Sequence, residues 1–540
     1  MAVMKTPGVY IVEKNAFPNS VVEVATAVPA FIGHTEYADN RNVPLSMKPW
    51  RISSMAEYHQ FFGGPPSPLF SIVEAAADST PDFKAAPDLD QDAKGYVMTQ
   101  VDGAKGGQFA LYQALRHFYQ NGGGPCYIVS VGSYKDELDK DKLSAGIETL
   151  LKEQEPTMLL VPEAVRLKTV DDCNAVQQAM LAHCGGKMRS RIAILDLYGG
   201  DQDFTAMPSP IETFRDKLGI NYLDFAVAYY PWLNTSIVGE KDLSYENIDP
   251  ASLATLKTLI MAELRLKPDT TVTREKAMVD AINDLGADFK AKVTADFAEE
   301  KKTHPDAKDP TPDQINAGVL ARKALLNKTL SSISGVFVTV LKEARRHLNV
   351  MPPGPAMAGI YTMVDNSRGV WKAPANVSLS GVISPTVSIS AEQQEDLNVT
   401  PQGKSINAIR SFIGEGVLVW GARTLDGNSL DWRYVNVRRT MIMLEESCRL
   451  AAKALVFEPN TANTWVTIKS MISNFLTGIW KRGGLMGAVP EDAFSVHVGL
   501  GETMTPEDVL EGILRVTVLV AMVRPAEFIE ITFQQQMPKS

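Results

Sequence analysis

The sequence has few cysteines and no long apolar run, and these two shortages narrow the class of protein. Its 540 residues include four cysteines, none of them in a CxxC pair, so neither a disulfide framework nor a common zinc or redox motif is indicated. No segment reaches the roughly 18 apolar residues of a spanning helix, and the first residues contain no signal-peptide stretch. We therefore predict assembly in the cytoplasm, without direct membrane insertion.

An excess of basic residues is also missing. The chain carries 53 Lys and Arg against 63 Asp and Glu, for a formal net charge of -10. Binding to a phosphate backbone needs a basic surface, and this balance does not provide one. Nucleic acid is therefore not a predicted partner.

Local signatures of catalysis are absent as well. The sequence contains no GxSxG elbow, HExxH pair or EF-hand loop. Gly403-Lys404-Ser405 resembles the end of a phosphate loop, but Asn398 stands where that motif has its first glycine. His183 beside Cys184 is more simply a helix C-terminus than a base and its nucleophile. We predict no catalytic residue, no metal and no cofactor, and hence not an enzyme.

What the sequence does contain is enough apolar residues for several cores. A chain of 540 residues exceeds the size at which one core keeps growing, so more than one domain is expected. Within residues 126–232, short apolar runs alternate with helical stretches, which is typical of βαβ units with both sheet faces covered. The runs are residues 127–131, 158–161, 192–195 and 225–229.

Two polar stretches interrupt this pattern. Residues 235–348 are polar and helical, which predicts a helical insertion. Residues 78–105 combine prolines, aspartates and glycines without periodicity, which predicts a polar insert. Neither stretch is expected to fold alone.

The last third has the clearest periodicity. Apolar residues at three- and four-residue steps predict one helix that ends before Pro459 and a second that ends at Gly483-Gly484. Thr505-Pro506-Glu507-Asp508 predicts a capped helix start. Residues 494–498, 516–523 and 528–533 alternate as strands.

Both chain ends are predicted to be β-forming arms. The first arm comprises Gly8, Val9, Tyr10, Ile11, Val12 and Glu13, and the second comprises Phe528, Ile529, Glu530, Ile531, Thr532 and Phe533. A free strand exposes unpaired N–H and C=O groups, so each arm must pair with something. The sequence alone leaves open whether that partner is the same subunit or a neighbouring one.

Short motifs occur in a fixed order along the chain. They are residues 6–13 (TPGVYIVE), 28–33 (VPAFIG), 229–233 (YYPWL), 351–354 (MPPG), 368–376 (RGVWKAPAN), 406–410 (INAIR), 419–424 (VWGART), 432–439 (WRYVNVRR), 457–460 (FEPN) and 523–527 (VRPAE). This ordered set resembles the sheath family of contractile phage tails, tailocins and extracellular injection systems. The resemblance covers about residues 6–28 and 351–533, and it is thinner through residues 126–232.

The resemblance implies a multi-domain α/β and α+β chain with a discontinuous inner sheath domain, N- and C-terminal β-arms, an outer α/β domain and a helical insertion. The corresponding boundaries are 1–22 for the N-terminal arm, 23–234 for the outer domain with its polar insert at about 78–105, 235–348 for the insertion, 349–523 for the C-terminal sheath domain and 524–540 for the C-terminal arm.

The resemblance also implies what the chain binds and does. The expected partners are the chain itself in a sixfold helical homopolymer, an inner tube protein, and baseplate and terminator or cap proteins. The arms are expected to add strands to neighbouring subunits, while Arg438, Arg439, Glu445 and Glu446 are candidates for a helix face that contacts the tube. Contraction would drive the tube through a target envelope without ATP or metal.

Two other functions stay open at this point. A cytoplasmic α/β enzyme would use the sheet of residues 126–232 and bind a ligand at the strand ends. An adaptor or baseplate protein would form discrete rings instead of a long polymer.

Overall fold

The structure is a computed structural model that describes residues 21–88, 91–101, 108–304, 309–398, 400–401 and 403–532. Its helices are α1 Met55–Phe62, α2 Leu111–Gln120, α3 Lys140–Thr149, α4 Val170–Leu181, α5 Pro210–Lys217, α6 Leu253–Glu263, α7 Thr273–Asn283, α8 Phe289–Thr303, α9 Pro312–Ile333, α10 Gly335–Leu348, α11 Gly354–Arg368, α12 Ala391–Asn398, α13 Val435–Lys453, α14 Ala462–Lys481, α15 Pro490–Ala493 and α16 Pro506–Leu510.

Its strands are β1 Pro29–Thr35, β2 Asp39–Asn40, β3 Val43–Pro44, β4 Trp50–Ile52, β5 Phe70–Glu74, β6 Phe83–Ala85, β7 Lys94–Gln100, β8 Cys126–Ser133, β9 Met158–Leu160, β10 Ile192–Asp196, β11 Ala226–Tyr230, β12 Leu233–Thr235, β13 Val350–Met351, β14 Val377–Ser378, β15 Val382–Pro385, β16 Asn407–Phe412, β17 Gly416–Val419, β18 Phe494–His497 and β19 Thr517–Val520.

The largest sheet has nine strands in the order β14-β17-β16-β11-β10-β9-β1-β8-β4. Strands β8, β1, β9, β10, β11 and β16 run parallel, while β4, β17 and β14 are antiparallel to their neighbours. The four apolar runs predicted as strands from the sequence form β8, β9, β10 and β11, which confirms the βαβ prediction for this region. The mixed α/β, multi-domain fold class is confirmed with it.

Helices cover both faces of this sheet, as the continuous apolar strands require. Neighbouring residues of β1 point to opposite faces. Phe31 packs edge-on against Phe118 of α2, with 5.2 Å between ring centroids. Ile32 packs on the other side against Gly146 of α3, where an added Cβ would lie 2.8 Å from the Ile32 side chain. The glycine therefore lets α3 approach the sheet closely.

A second hydrophobic core joins the two predicted inserts. Strands β5, β7 and β6 form a three-stranded sheet, and its buried residues Phe70 and Tyr96 lie in one cluster with Leu330 and Phe337 of α9 and α10. We call β5 to β7 together with α6 to α10 the insert module. The stretch at 78–105 was expected to lack periodicity, yet it contains the whole of β6 and β7.

The prediction for this stretch failed because the residues that bury its strands lie far away in the sequence. Each of these strands is short, and the helices that bury them lie more than 150 residues later in the chain. The pairing of Asp82 with Arg346, at 2.5 Å, joins the two inserts across the same distance. A local hydrophobic pattern contains no information about such a partner.

The C-terminal third forms a third core between α13 and α14. Leu444 of α13 packs with Ile468, Ile472 and Ile479 of α14, on the helix faces that the sequence predicts. Helix α14 ends at Lys481, and the amide of Gly484 donates to the carbonyl of Ile479 at 3.0 Å. Both helices are thereby confirmed.

The predicted capping box also forms. The hydroxyl of Thr505 accepts from the Asp508 amide at 3.2 Å, and the Asp508 carboxylate accepts from the Thr505 amide at 3.0 Å. The predicted strands at 494–498 and 516–523 appear as β18 and β19, which pair with each other.

Candidate assembly interface

Strands β18 and β19 form a sheet of two strands, and such a sheet is marginal by itself. Val496 is buried against the α13 and α14 core, whereas Leu519 points outward and is exposed. Among the described residues, no further strand pairs with either long edge of this sheet. The sheet therefore offers two edges to which an extended segment can add.

The C-terminal arm leaves the body from a buried anchor next to this sheet. The Glu527 carboxylate accepts from Arg423 Nε at 3.0 Å and Nη2 at 2.6 Å, and from the Tyr434 hydroxyl at 3.1 Å. Burial and the nearby carboxylate raise the pKa of Tyr434, which keeps its hydroxyl protonated as a donor. Asn436 of α13 also donates to the carbonyl of Val523 at 3.1 Å. We call these contacts the C-terminal anchor.

Immediately after this anchor the chain becomes exposed. Phe528, Ile529 and Ile531 are 71–79% exposed, and residues 524–532 form no helix or strand with the described part of the chain. Glu530 and Thr532 are exposed too, while Phe533 lies outside the described residues. The predicted C-terminal strand therefore stays a prediction, because this segment pairs with no strand in the part of the chain that the structure describes.

The start of the described chain is held in a similar way. The Val24 amide donates to the Ser447 hydroxyl at 3.1 Å, and the Thr26 carbonyl accepts from Arg439 at 3.0 Å. Glu23 pairs with Arg482. We call these contacts the N-terminal anchor. Gly8, Val9, Tyr10, Ile11, Val12 and Glu13, the predicted N-terminal arm strand, lie outside the described residues.

Helix α13 contributes to both anchors. Arg439 and Ser447 hold the beginning of the chain, and Asn436 holds its end. One helix therefore holds the beginning and the end of the described chain, beside a sheet whose long edges pair with no other strand among the described residues.

Known proteins that resemble this chain are components of contractile particles. The family model of the phage tail sheath C-terminal domain matches residues 428–536. A chain of the anti-feeding prophage baseplate is 26% identical, with a TM-score of 0.55, over 99% of this chain and 100% of that chain. The sheath complex of the extracellular contractile injection system PVC, in the contracted state, is 25% identical, with a TM-score of 0.56, over 99% of both chains.

Residues 428–536 thus match the phage tail sheath C-terminal domain, and the whole chain is similar to contractile sheath proteins.

The helical sheath of the anti-feeding prophage in its contracted state is likewise 25% identical, with a TM-score of 0.55, over 99% of this chain and 100% of that chain. No curated protein matches the sequence. The recognition made from the sequence motifs is thereby confirmed.

The helix face predicted to contact the tube does not form a single charged surface in this sheath subunit. Arg438 and Arg439 are each 4% exposed. Arg438 pairs with Asp224 and stacks on Trp432, with its guanidinium carbon 3.6 Å from the ring centroid. Burial lowers the pKa of Arg438, and Asp224 opposes that shift. This arginine therefore joins α13 to the segment before β11.

Arg439 serves a similar internal role. Its Nη1 and Nη2 donate to the Asp365 carboxylate of α11 at 2.9 and 2.6 Å. Glu445 is exposed, and Glu446 pairs on the surface with Arg449. The four residues are thus divided between the interior and the surface, and only the two glutamates remain accessible for the predicted tube contact.

The residues rejected as a catalytic or phosphate site have structural partners. Lys404 is buried and donates to the Arg215 carbonyl. Burial lowers the pKa of His183 to about 4 and raises the pKa of the Cys184 thiol to about 12. A neutral histidine and a protonated thiol in the interior form no base and nucleophile pair.

At the carboxyl end of β1, His34 Nδ1 lies 2.7 Å from the Glu163 carboxylate, with both side chains fully buried. No cluster of three or more His, Cys, Asp or Glu side chains suited to a metal ion occurs among the described residues.

No helix of the described chain is, alone, both long and apolar enough to cross a membrane. Helices α9 and α10 pass the test of length and composition only as a pair, and they are bent by 111° at the break between them.

Sequence reasoning missed the acidic partners Asp224, Asp365 and Glu527. The VRPAE motif that contains Glu527 was recognised by resemblance, but its partner Arg423 lies in another motif, VWGART. The signal that could have linked them is the single charge of VWGART, Arg423, whose sign is opposite to that of Glu527.

Proposed function

We propose that this sheath subunit polymerises helically around an inner tube and that contraction of the polymer drives the tube through a target envelope. The general part of this function, a subunit of a contractile helical sheath, follows from the family. The single observation that carries the finer proposal is the two-stranded β18–β19 sheet, with both edges unpaired in the described chain, beside two anchored chain ends.

Each arm adds itself as a strand to the β18–β19 sheet of a neighbouring subunit. The backbone groups of an added strand gain about 1 kcal/mol net per hydrogen bond. Ile529 and Ile531, exposed in the single chain and on one face of the expected strand, become buried at roughly 1.5–3 kcal/mol each. A link of a few hydrogen bonds and two buried side chains is strong enough to survive the movement of the subunits that it joins.

The body of the subunit moves as a unit during contraction. The buried pairs of Arg438 with Asp224 and of Arg439 with Asp365 connect α13 to the α/β sheet and to α11. Separating such a pair leaves an unpaired buried charge, which costs about 3–5 kcal/mol. Rotation instead occurs where the chain is not anchored, after Glu527 and before Glu23, so that strand pairs persist while subunits turn.

The energy of the stroke lies in the difference between two polymer packings, so no ATP or metal is required. The tube protein, the baseplate that releases contraction and the terminal cap are the remaining partners of this proposal. The named relatives support it because two of them are sheath assemblies in the contracted state.

Electron microscopy of the purified chain tests the proposal. Full-length protein is expected to form helical tubes, and the double variant Ile529→Asp, Ile531→Asp is expected to remain as single particles because charged side chains oppose burial. Thr532→Asp is the matched control, since Thr532 is exposed in the same segment but lies on the opposite face of the expected strand.

Tubes from the double variant as abundant as those from the control would contradict C-terminal strand addition. A parallel variant that lacks residues 1–20 tests the N-terminal arm. Discrete rings from the full-length chain would favour a baseplate or adaptor role.

A further inference from the structure

An open groove lies where the described chain begins. Its lining includes three residues at the start of that chain, Val24, Ala25 and Thr26, and three residues of α13, Ile442, Met443 and Leu450. The groove has a volume of about 380 Å³, and its accessible walls are mainly apolar. A cavity of about 150 Å³ can hold a benzene ring, so this groove has room for two branched aliphatic side chains.

The four charged residues of this lining are already engaged within the subunit. Arg449 donates to the Glu446 carboxylate at 3.0 and 2.6 Å, and Arg439 is paired with α11. The Glu155 carboxylate accepts from the Tyr127 hydroxyl at 2.6 Å. None of these charges is left to select a partner, so the groove must recognise its occupant by apolar contact.

An apolar segment of the same chain precedes the groove in the sequence. The described chain begins at residue 21, and the predicted N-terminal arm comes before it, with Val9 and Ile11 on one face of the expected strand. Ile11 precedes Val24 by 13 positions, a length of chain that spans up to about 43 Å when extended. Residues 18–20 (PNS) are of types that favour a turn. The arm is therefore long enough to fold back onto the groove.

We infer that in the free subunit the groove holds the N-terminal arm of the same chain, through Val9 and Ile11. A strand that is left free exposes unpaired N–H and C=O groups and pairs with any available sheet edge. Attachment to the same chain gives the arm a local concentration on the order of millimolar at the groove, so a weak apolar contact is enough to hold it.

The β18–β19 sheet of a neighbouring subunit then draws the arm out of the groove. Strand addition provides a row of backbone hydrogen bonds as well as apolar burial, so it is stronger than apolar contact alone. The inference rests on the proposed function, because it states what keeps the arm from linking subunits before assembly begins.

Disulfide formation within one chain tests this contact. The pair Ile11→Cys and Leu450→Cys, in a Cys448→Ala background, is expected to form an intramolecular disulfide in dilute subunits, visible as faster migration in a non-reducing gel. The remaining cysteines are buried. In assembled polymer the yield should fall, because the arm has moved to a neighbour. Tyr10→Cys with Leu450→Cys is the matched control, since Tyr10 lies on the opposite face of the expected strand.

Three results of this experiment overturn the inference. They are the absence of the disulfide in dilute subunits, an equal yield from the control pair, and a disulfide that joins two differently tagged chains instead of one chain to itself. The last result would make the groove a contact between subunits.

The kinetics of polymerisation provide a second test, in which the expected sign is opposite to that of an assembly contact. Leu450→Asp removes apolar contact from the groove wall, so the fraction of released arms should rise roughly tenfold and the lag before polymerisation should shorten. Leu320→Asp, at an exposed position of α9, should leave the lag unchanged. The melting temperature of dilute subunits shows that both variants are folded.

A lag in Leu450→Asp that equals or exceeds that of the control overturns the inference. If neither the unmodified chain nor Leu450→Asp polymerises, the proposed function fails, while the disulfide in dilute subunits still decides the inference. The two failures are therefore distinguishable.

Discussion

Loss of the Glu527 carboxylate should release the C-terminal arm from the body of the subunit. In Glu527→Ala, Arg423 loses its bonds at 3.0 and 2.6 Å and keeps only the Asn398 carbonyl at 3.1 Å. Removal of one partner from a fully buried pair costs about 3–5 kcal/mol. Glu527 is 19% exposed, so water compensates in part and we expect a loss of about 2–3 kcal/mol.

This loss of binding free energy corresponds to an increase of roughly 30- to 150-fold in the fraction of subunits whose segment at Glu527 is detached from the body. A nitroxide label on Ala526→Cys, with Cys448 replaced by alanine, reports this fraction because its electron paramagnetic resonance lines sharpen when the segment becomes mobile. The same variant should require a higher subunit concentration to polymerise, since a detached arm must be ordered again upon binding.

The exposed pair of Arg524 with Asp431 provides the control. It flanks the same segment, at 3.8 Å between charged atoms, and exposed pairs contribute only about 0–1 kcal/mol. Asp431→Asn should therefore leave the label immobile. If Glu527→Ala were as immobile as this control, the buried anchor would not hold the arm.

Three further predictions concern the body of the subunit. Arg439→Ala should lower the free energy of unfolding by about 3–5 kcal/mol because it leaves the buried Asp365 carboxylate without its cation. Loss of the surface residue Arg449 should lower the same free energy by under about 1 kcal/mol. Equal losses in chemical denaturation would contradict the buried role of Arg439. Burial lowers the pKa of His117 to about 4, so the unfolded chain binds a proton below about pH 6.5 that the folded chain does not, and stability falls as pH decreases from there toward 4. In His117→Leu this decrease should be smaller between those pH values in thermal melts, and an unchanged slope would contradict it. Phe337→Ala should lower the free energy of unfolding of the insert module by about 3–5 kcal/mol and expose Phe70 to cleavage by chymotrypsin. Val338→Ala, at an exposed position, should have neither effect.

The sequence was sufficient to predict a helix or strand wherever that element depends on residues close to it along the chain. The helices of the C-terminal third have apolar stripes and end signals within one continuous segment, and the Thr505 capping box spans only three residues. The parallel strands were predictable because apolar runs bounded by helical stretches satisfy the requirements of a covered sheet.

The sequence was insufficient to predict the position of a side chain whose partner lies far away along the chain. Arg438 and Arg439 were expected on a charged surface because a pair of adjacent arginines on a helix is usually solvated. Their acids, Asp224 and Asp365, lie 214 and 74 residues away, and no periodicity reports them. The shared core of the two inserts was missed for the same reason. Residues 524–532 form no strand within the described chain, and in our proposal their partner belongs to another subunit.

The attachment of both chain ends to α13 has a mechanical consequence. In a polymer linked through its arms, tension enters a subunit at Val24, passes along the helix from Ser447 to Asn436, and leaves at Val523. The nine-stranded sheet and the insert module lie beside this load path and carry little of the tension. In such a polymer the sheet and the insert module can therefore differ in size between relatives, while the stiffness of the assembly stays set by one helix and its two attachments.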